Sequence, residues 1–217
     1  MKTEDNKSLM RMARESLKGK WGLAVGGFFV YFLIEMLGAI PGIGAVATIF
    51  IAGPMMGGLA IFALAISRNQ EAKLDQLFQA FNRFGTYLGA YWLMVLYIML
   101  WSLLLIIPGI IAAYAYSLIF FILADEPSIG ISEALKKSKA MMNGYKWKYF
   151  CLSFRFFGWA ILSILSCGIG FLWLFPYMQV SLAKFYEDLK AGQQSTQQVA
   201  ELEKIVAENA EVPPVSA

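Results

Sequence analysis

The chain has 217 residues, 59 % of them apolar and 15 % charged, with a formal charge of +3, whereas soluble domains average about 45–50 % apolar and about 25 % charged residues. A soluble fold of this size cannot bury the excess, and with a mean hydropathy of +0.58 the bilayer is the expected solvent. There is no histidine, and Cys151 and Cys167 are the two thiols, which excludes zinc sites of the usual Cys/His kind and His-based triads.

About 20 largely polar residues precede the first apolar run, and that run is too long for a signal-peptide core, so no cleavable signal is expected. Within this opening, Leu9, Met10, Ala13 and Leu17 share one helical face against Arg11, Arg14, Glu15 and Lys18, the spacing of an amphipathic helix. Gly19 follows, then an apolar stretch, the turn Ile40-Pro41-Gly42-Ile43 and a second apolar stretch.

The same order recurs twice. Leu74, Leu77, Phe78, Phe81 and Phe84 form a second amphipathic face, followed by Gly85 and the turn Ile107-Pro108-Gly109-Ile110. Ile131, Ala134, Leu135, Ser138, Met141 and Met142 form a third, opposite Glu133, Lys136, Lys137 and Lys139, followed by Gly144 and Ser166-Cys167-Gly168-Ile169. The paired glycines lie 23, 24 and 24 residues apart, which points to an internal repeat over about 7–68, 72–127 and 128–190. The expected fold is all-α and integral to the membrane: six transmembrane helices as three helical hairpins, each preceded by an interfacial amphipathic helix, within a membrane domain 1–190.

Residues 1–190 carry a net +6 and the remainder, 191–217, a net −3; the latter is expected as a flexible acidic cytoplasmic tail. Lys and Arg gather on the amphipathic-segment side and the three Gly turns carry no charge. The positive-inside rule therefore puts both termini in the cytoplasm and the turns outside. Two returning stretches, 110–124 and 169–183, hold 15 residues each, about 23 Å of helix against a hydrocarbon core of about 30 Å. Local thinning, turns below the outer surface or re-entrant hairpins would each accommodate them.

Charged and polar side chains inside apolar runs mark candidate sites. Glu35 and Arg155 are the intramembrane charges, with Ser102 and Gln179 as further polar candidates. They fit either an interhelical lock or a solute or proton pathway. Lys136, Lys137, Lys139, Lys146 and Lys148 are candidate contacts for anionic headgroups, although orienting the chain would select the same lysines. Asp125-Glu126 and Glu187-Asp188 are acidic pairs at helix ends without further convergent ligands. No catalytic, cofactor or metal constellation and no nucleic-acid domain is read from the sequence.

Several of these residues carry a family resemblance. The stretch from Ala13 to Trp21, Leu77-Phe78 with Phe81 and Phe84, Ala124-Asp125 with Pro127, and Glu133-Ala134-Leu135 through Lys146-Trp147 are part of it. So are Cys167-Gly168-Ile169-Gly170, Pro176-Tyr177 and Phe185-Tyr186-Glu187-Asp188-Leu189. Over roughly 9–189 the chain resembles the bacterial integral-membrane family called domain of unknown function 975. That family looks distantly similar to membrane domains attached to some glycerophosphodiester phosphodiesterases, whose catalytic soluble domain has no counterpart here. The resemblance implies a multi-helix bundle near lipid metabolism or envelope assembly and names no reaction. The expected function is that of a non-enzymatic protein of the bacterial cell membrane, organising lipid or assisting a membrane complex. Its expected partners are the bilayer, through anionic headgroups, and a membrane protein. The alternative is a small-solute or ion transporter or channel using Glu35.

Overall fold

Helix α1 spans Asn6–Leu17 behind Asp5, whose carboxylate accepts from the Lys7 amide at 3.3 Å and so satisfies one free helix donor. The computed structural model describes residues 3–38, 40, 43–166 and 168–210, and every regular element among them is helical. Leu9, Ala13 and Leu17 are fully buried, against α3 and α10 as those elements come past. The apolar face of α1 thus meets protein, where an interfacial position had been expected to turn it to lipid. Gly19, at φ +80°, takes a conformation that costs other residues more, and the chain bends by 97° into α2, Trp21–Leu37.

Helix α3, Ile43–Ser67, is the centre of the bundle: 72 % of its apolar window is buried. Gly53, Gly57 and Gly58 let other backbones reach it. A Cβ on Gly53 would stand 2.6 Å from the Tyr87 carbonyl oxygen, and one on Gly58 would overlap the Leu77 carbonyl. Asn69, at φ 56°, closes the helix as its amide and that of Gln70 bond back to Ile66 and Ala65.

The second segment differs from the expectation. It forms only a short α4, Gln76–Gln79, and a 3-10 turn, Ala80–Arg83. Leu77 and Ala80 are buried while Leu74, Phe78 and Phe84 are exposed. Leu77 and Ala80, three residues apart, share the inner face, and with Leu74 in a turn ahead of α4 and Phe84 opening α5 the expected five-residue stripe is split.

Helix α5, Phe84–Leu104, and α6, Ile106–Tyr116, are separated only by the extended Leu105. The turn falls before Pro108-Gly109, and Pro108 sits in the first turn of α6, where a missing amide costs nothing. With α7, Ile119–Asp125, the return covers 20 residues, which corrects the short return expected here. Helix α8, Ile131–Met141, buries Ala134, Leu135, Ser138 and Met141, and the Ser138 hydroxyl donates to the Ala115 carbonyl at 2.8 Å. Gly144, at φ +83°, leads into α9, Lys146–Leu165. Helix α10 runs from Phe171 to Ala210, so the described part of the expected flexible tail continues as helix, rich in good helix formers. Residues 211–217, Cys167 and the Pro41-Gly42 turn lie outside the described residues.

Among the described residues, four helices are long and apolar enough to cross a membrane, or five if α1 and α2 count as one broken span, against the six expected. The apolar part of α10 has only about 20 Å of rise before Lys184. The windows in Gln76–Leu104 and Lys146–Leu165 are only 11 % and 17 % buried, so both turn long apolar faces outward, as a bilayer allows. The bundle is thus consistent with a membrane protein.

Candidate functional site

Three features gather the chemistry of the molecule. The first is a clasp where the end of α3, the end of α7 and the start of α9 meet the middle of α10. Arg68 donates from Nη2 to Asp125 at 2.6 Å and from Nε to Glu187 at 2.9 Å. The other oxygen of Asp125 accepts from Tyr186 at 2.8 Å and from Lys190. Beside it, Lys148 pairs with Asp188 at 2.9 Å, and the Glu4 amide donates to the same carboxylate at 3.1 Å. Burial opposes the charge on Arg68, yet its bonds to Asp125 and Glu187 outweigh that and raise its pKa. The Asp125 side chain is only 7 % exposed, and Tyr186 is fully buried and stacked on Phe121.

The second feature is a cavity of about 460 Å³ in the middle of the bundle. Its wall is mainly apolar, interrupted by Tyr31, Ser117, Tyr149 and Gln179. Glu35 does not line it. This carboxylate is half-buried in the last turn of α2, one turn beyond Tyr31, so it stands near the helix end and not deep within the span.

The third feature holds Arg155. Together with Lys7, Arg11 and Arg14 it lines a recess of about 430 Å³, with Met10, Trp159 and Tyr177. Arg155 and Glu35 form no ion pair among the described residues. The intramembrane lock weighed for these two is therefore not the arrangement found.

Ser102 closes the α5–α6 turn: a Cβ on Gly109 would overlap its hydroxyl. The same contact joins Ser163 and Gly170 in the α9–α10 turn, where the added Cβ would meet the hydroxyl at 2.6 Å. Both pairs are seven residues apart, and in this setting Ser102 serves close packing. Of the five lysines expected at headgroups, Lys137 is paired with Glu126 and Lys148 with Asp188. Lys136 and Lys139 are exposed and Lys146 is half-exposed.

Residues 1–108 and 103–193 match the family described as protein of unknown function (DUF975). The chain belongs to the DUF975 family. The two matched stretches of this DUF975 chain meet at the α5–α6 break, at Leu105. No curated protein and no solved structure matches it.

Arg68, Lys190 and the α1 cations were missed as site residues in the sequence. Their signals were there: Arg68 ends a long apolar run, and Lys7, Arg11 and Arg14 recur at intervals of four and three, which places them on one helical face.

Proposed function

We propose that this DUF975 chain is a non-enzymatic integral protein of the bacterial cytoplasmic membrane that organises anionic lipid at the inner leaflet, where it can also seat a membrane complex. In this reading three hairpins cross the bilayer with both termini and the clasp in the cytoplasm. The short apolar part of α10 is accommodated by local thinning. The resemblance to membrane domains of glycerophosphodiester phosphodiesterases points to the same lipid setting without lending a hydrolysis.

The observation that carries the reading is a division among the basic residues. Arg68, Lys137, Lys148 and Lys190 are spent on internal ion pairs. Lys7, Arg11, Arg14, Lys136 and Lys139 are exposed and have no ion pair among the described residues. Cations held at a membrane surface attract acidic headgroups at about 1 kcal/mol each.

Spin-labelled lipids in reconstituted vesicles test this directly. The protein-restricted spectral component is expected to favour phosphatidylglycerol over phosphatidylcholine, and the preference to shrink with added salt as exposed charges are screened. Equal partition of both lipids at low salt would refute the reading. The central cavity beside Tyr31 and Gln179 favours transport as the second reading. That reading requires solute flux in vesicles that changes in Gln179→Leu, which alters the cavity wall; the lipid reading expects no such change.

A further inference from the structure

The basic recess described above continues into a second one of about 300 Å³. Arg14, Trp159 and Tyr177 line both, so the two form one groove bounded by α1, α2, α9 and α10. The second part is apolar and aromatic. Trp159, Leu162, Ser163 and Ser166 follow one face of α9, and Gly170, Trp173, Leu174 and Tyr177 face them from α10. Trp21 closes the side toward α2.

The two ends of the groove differ in chemistry. At one end stand four cations, Lys7, Arg11, Arg14 and Arg155, and no carboxylate lines either part. None of the four has an ion pair among the described residues. From this end the apolar walls lead toward the α9–α10 turn. The cations are also held in place. Tyr177 donates its hydroxyl to the Met10 carbonyl at 3.2 Å, Arg14 lies 5.9 Å over the Tyr177 ring, and the Asn6 amide donates to the Lys148 carbonyl at 3.0 Å. Helix α1 is thereby fastened to α9 and α10 with Lys7, Arg11 and Arg14 turned to the recess that Arg155 enters from α9.

We infer that this groove is a built site for one anionic phospholipid of the inner leaflet, with its phosphate among Arg11, Arg14 and Arg155 and an acyl chain between Trp159 and Trp173. Guanidinium groups suit a phosphate because they donate in parallel pairs. Four like charges lining one recess repel one another, and a bound anion offsets that repulsion. A free phosphate would satisfy the cations and leave the apolar walls unfilled; a neutral lipid would do the reverse. The charge of the recess and the wall of the cleft together select an anionic amphiphile. The inference rests on the proposed orientation and lipid reading, and it narrows them to one place.

The test uses the full chain with Trp92, Trp101 and Trp147 replaced by phenylalanine. All three are exposed, and the tryptophans that remain, Trp21, Trp159 and Trp173, all line the cleft. Vesicles carry phospholipids brominated on the acyl chain, either phosphatidylglycerol or phosphatidylcholine, and quenching of tryptophan emission reports occupancy. The expected result is stronger quenching by the phosphatidylglycerol probe. The preference should fall about fivefold for each charge removed in R14Q/R155Q and in K7Q/R11Q. The second pair lies on the exposed face of α1 and serves where the first does not fold. R155K and K136Q/K139Q/K146Q should keep the preference. Equal quenching by both probes, or a preference unchanged in K7Q/R11Q, overturns the site. If the spin-label experiment still shows overall anionic selectivity, the lipid reading stands without this groove; if it does not, both fail.

Discussion

Replacing Asp125 by alanine is expected to cost about 3 kcal/mol of stability, the scale of a buried ion pair broken on one side. The size follows from what the carboxylate holds. Its oxygens accept from Arg68, Tyr186 and Lys190, and its side chain is nearly sealed from solvent. Truncation leaves Lys190 without its partner, takes from Arg68 one of two carboxylates, and strips the buried Tyr186 hydroxyl of its acceptor. Asp125→Asn keeps an acceptor for Tyr186 and should lose less. Arg68→Ala should lose a similar amount to Asp125→Ala, and the double variant less than the two combined, because the residues share one network. Unfolding in detergent, followed by circular dichroism, measures all four. Additive losses would show that the clasp does not act as a unit.

Gly58→Ala should also destabilise, although alanine favours a helix over glycine by about 0.5–1 kcal/mol. The added methyl would overlap the Leu77 carbonyl, which is backbone and has no rotamer to yield. Overpacking of this kind costs about 1–3 kcal/mol, so the net change is a loss of about 1–2 kcal/mol. Gly26→Ala is the matched control: it lies in α2 with open space around the new Cβ and should be neutral or stabilising. The same unfolding experiment separates the pair, and equal behaviour would remove the case for close packing of α3 against α4.

Composition was enough to point to a bilayer, because a soluble architecture of this size does not dispose of so much apolar surface, and helices long and apolar enough to cross a membrane agree with it. Helical spacing also located most of the inward residues of α1 and α8. It did not show what those faces meet, since Leu9 or Leu135 presents the same apolar surface to lipid and to a neighbouring helix. Periodicity failed at residues 74–84 for another reason: Leu74 lies in a turn ahead of α4, and that single turn of helix gives way to a 3-10 turn after Gln79, so no continuous run at 3.6 residues per turn carries the stripe. Pro108-Gly109 suggests a turn because both residues favour turns. Proline also suits the first turn of a helix, and Leu105 breaks the chain before it. Arg155 was legible as an unusual charge, but nominal depth gave it the wrong company. Its place beside Lys7, Arg11 and Arg14 depends on α1 folding back across α9 and α10, a contact over more than 140 residues that no local pattern encodes. Arg68 ends an apolar run in the manner of many orienting residues, and only the meeting of α3, α7 and α10 makes it the centre of a clasp.

The most direct test of the central claim is the lipid composition of the protein taken from its own membrane. Extraction with a disc-forming copolymer preserves the neighbouring lipid, and phospholipid analysis compares those discs with the bulk membrane. The account predicts enrichment of anionic over zwitterionic phospholipid around the protein, reduced in R14Q/R155Q. A composition identical to the bulk membrane, for the unaltered protein in intact discs, would contradict it.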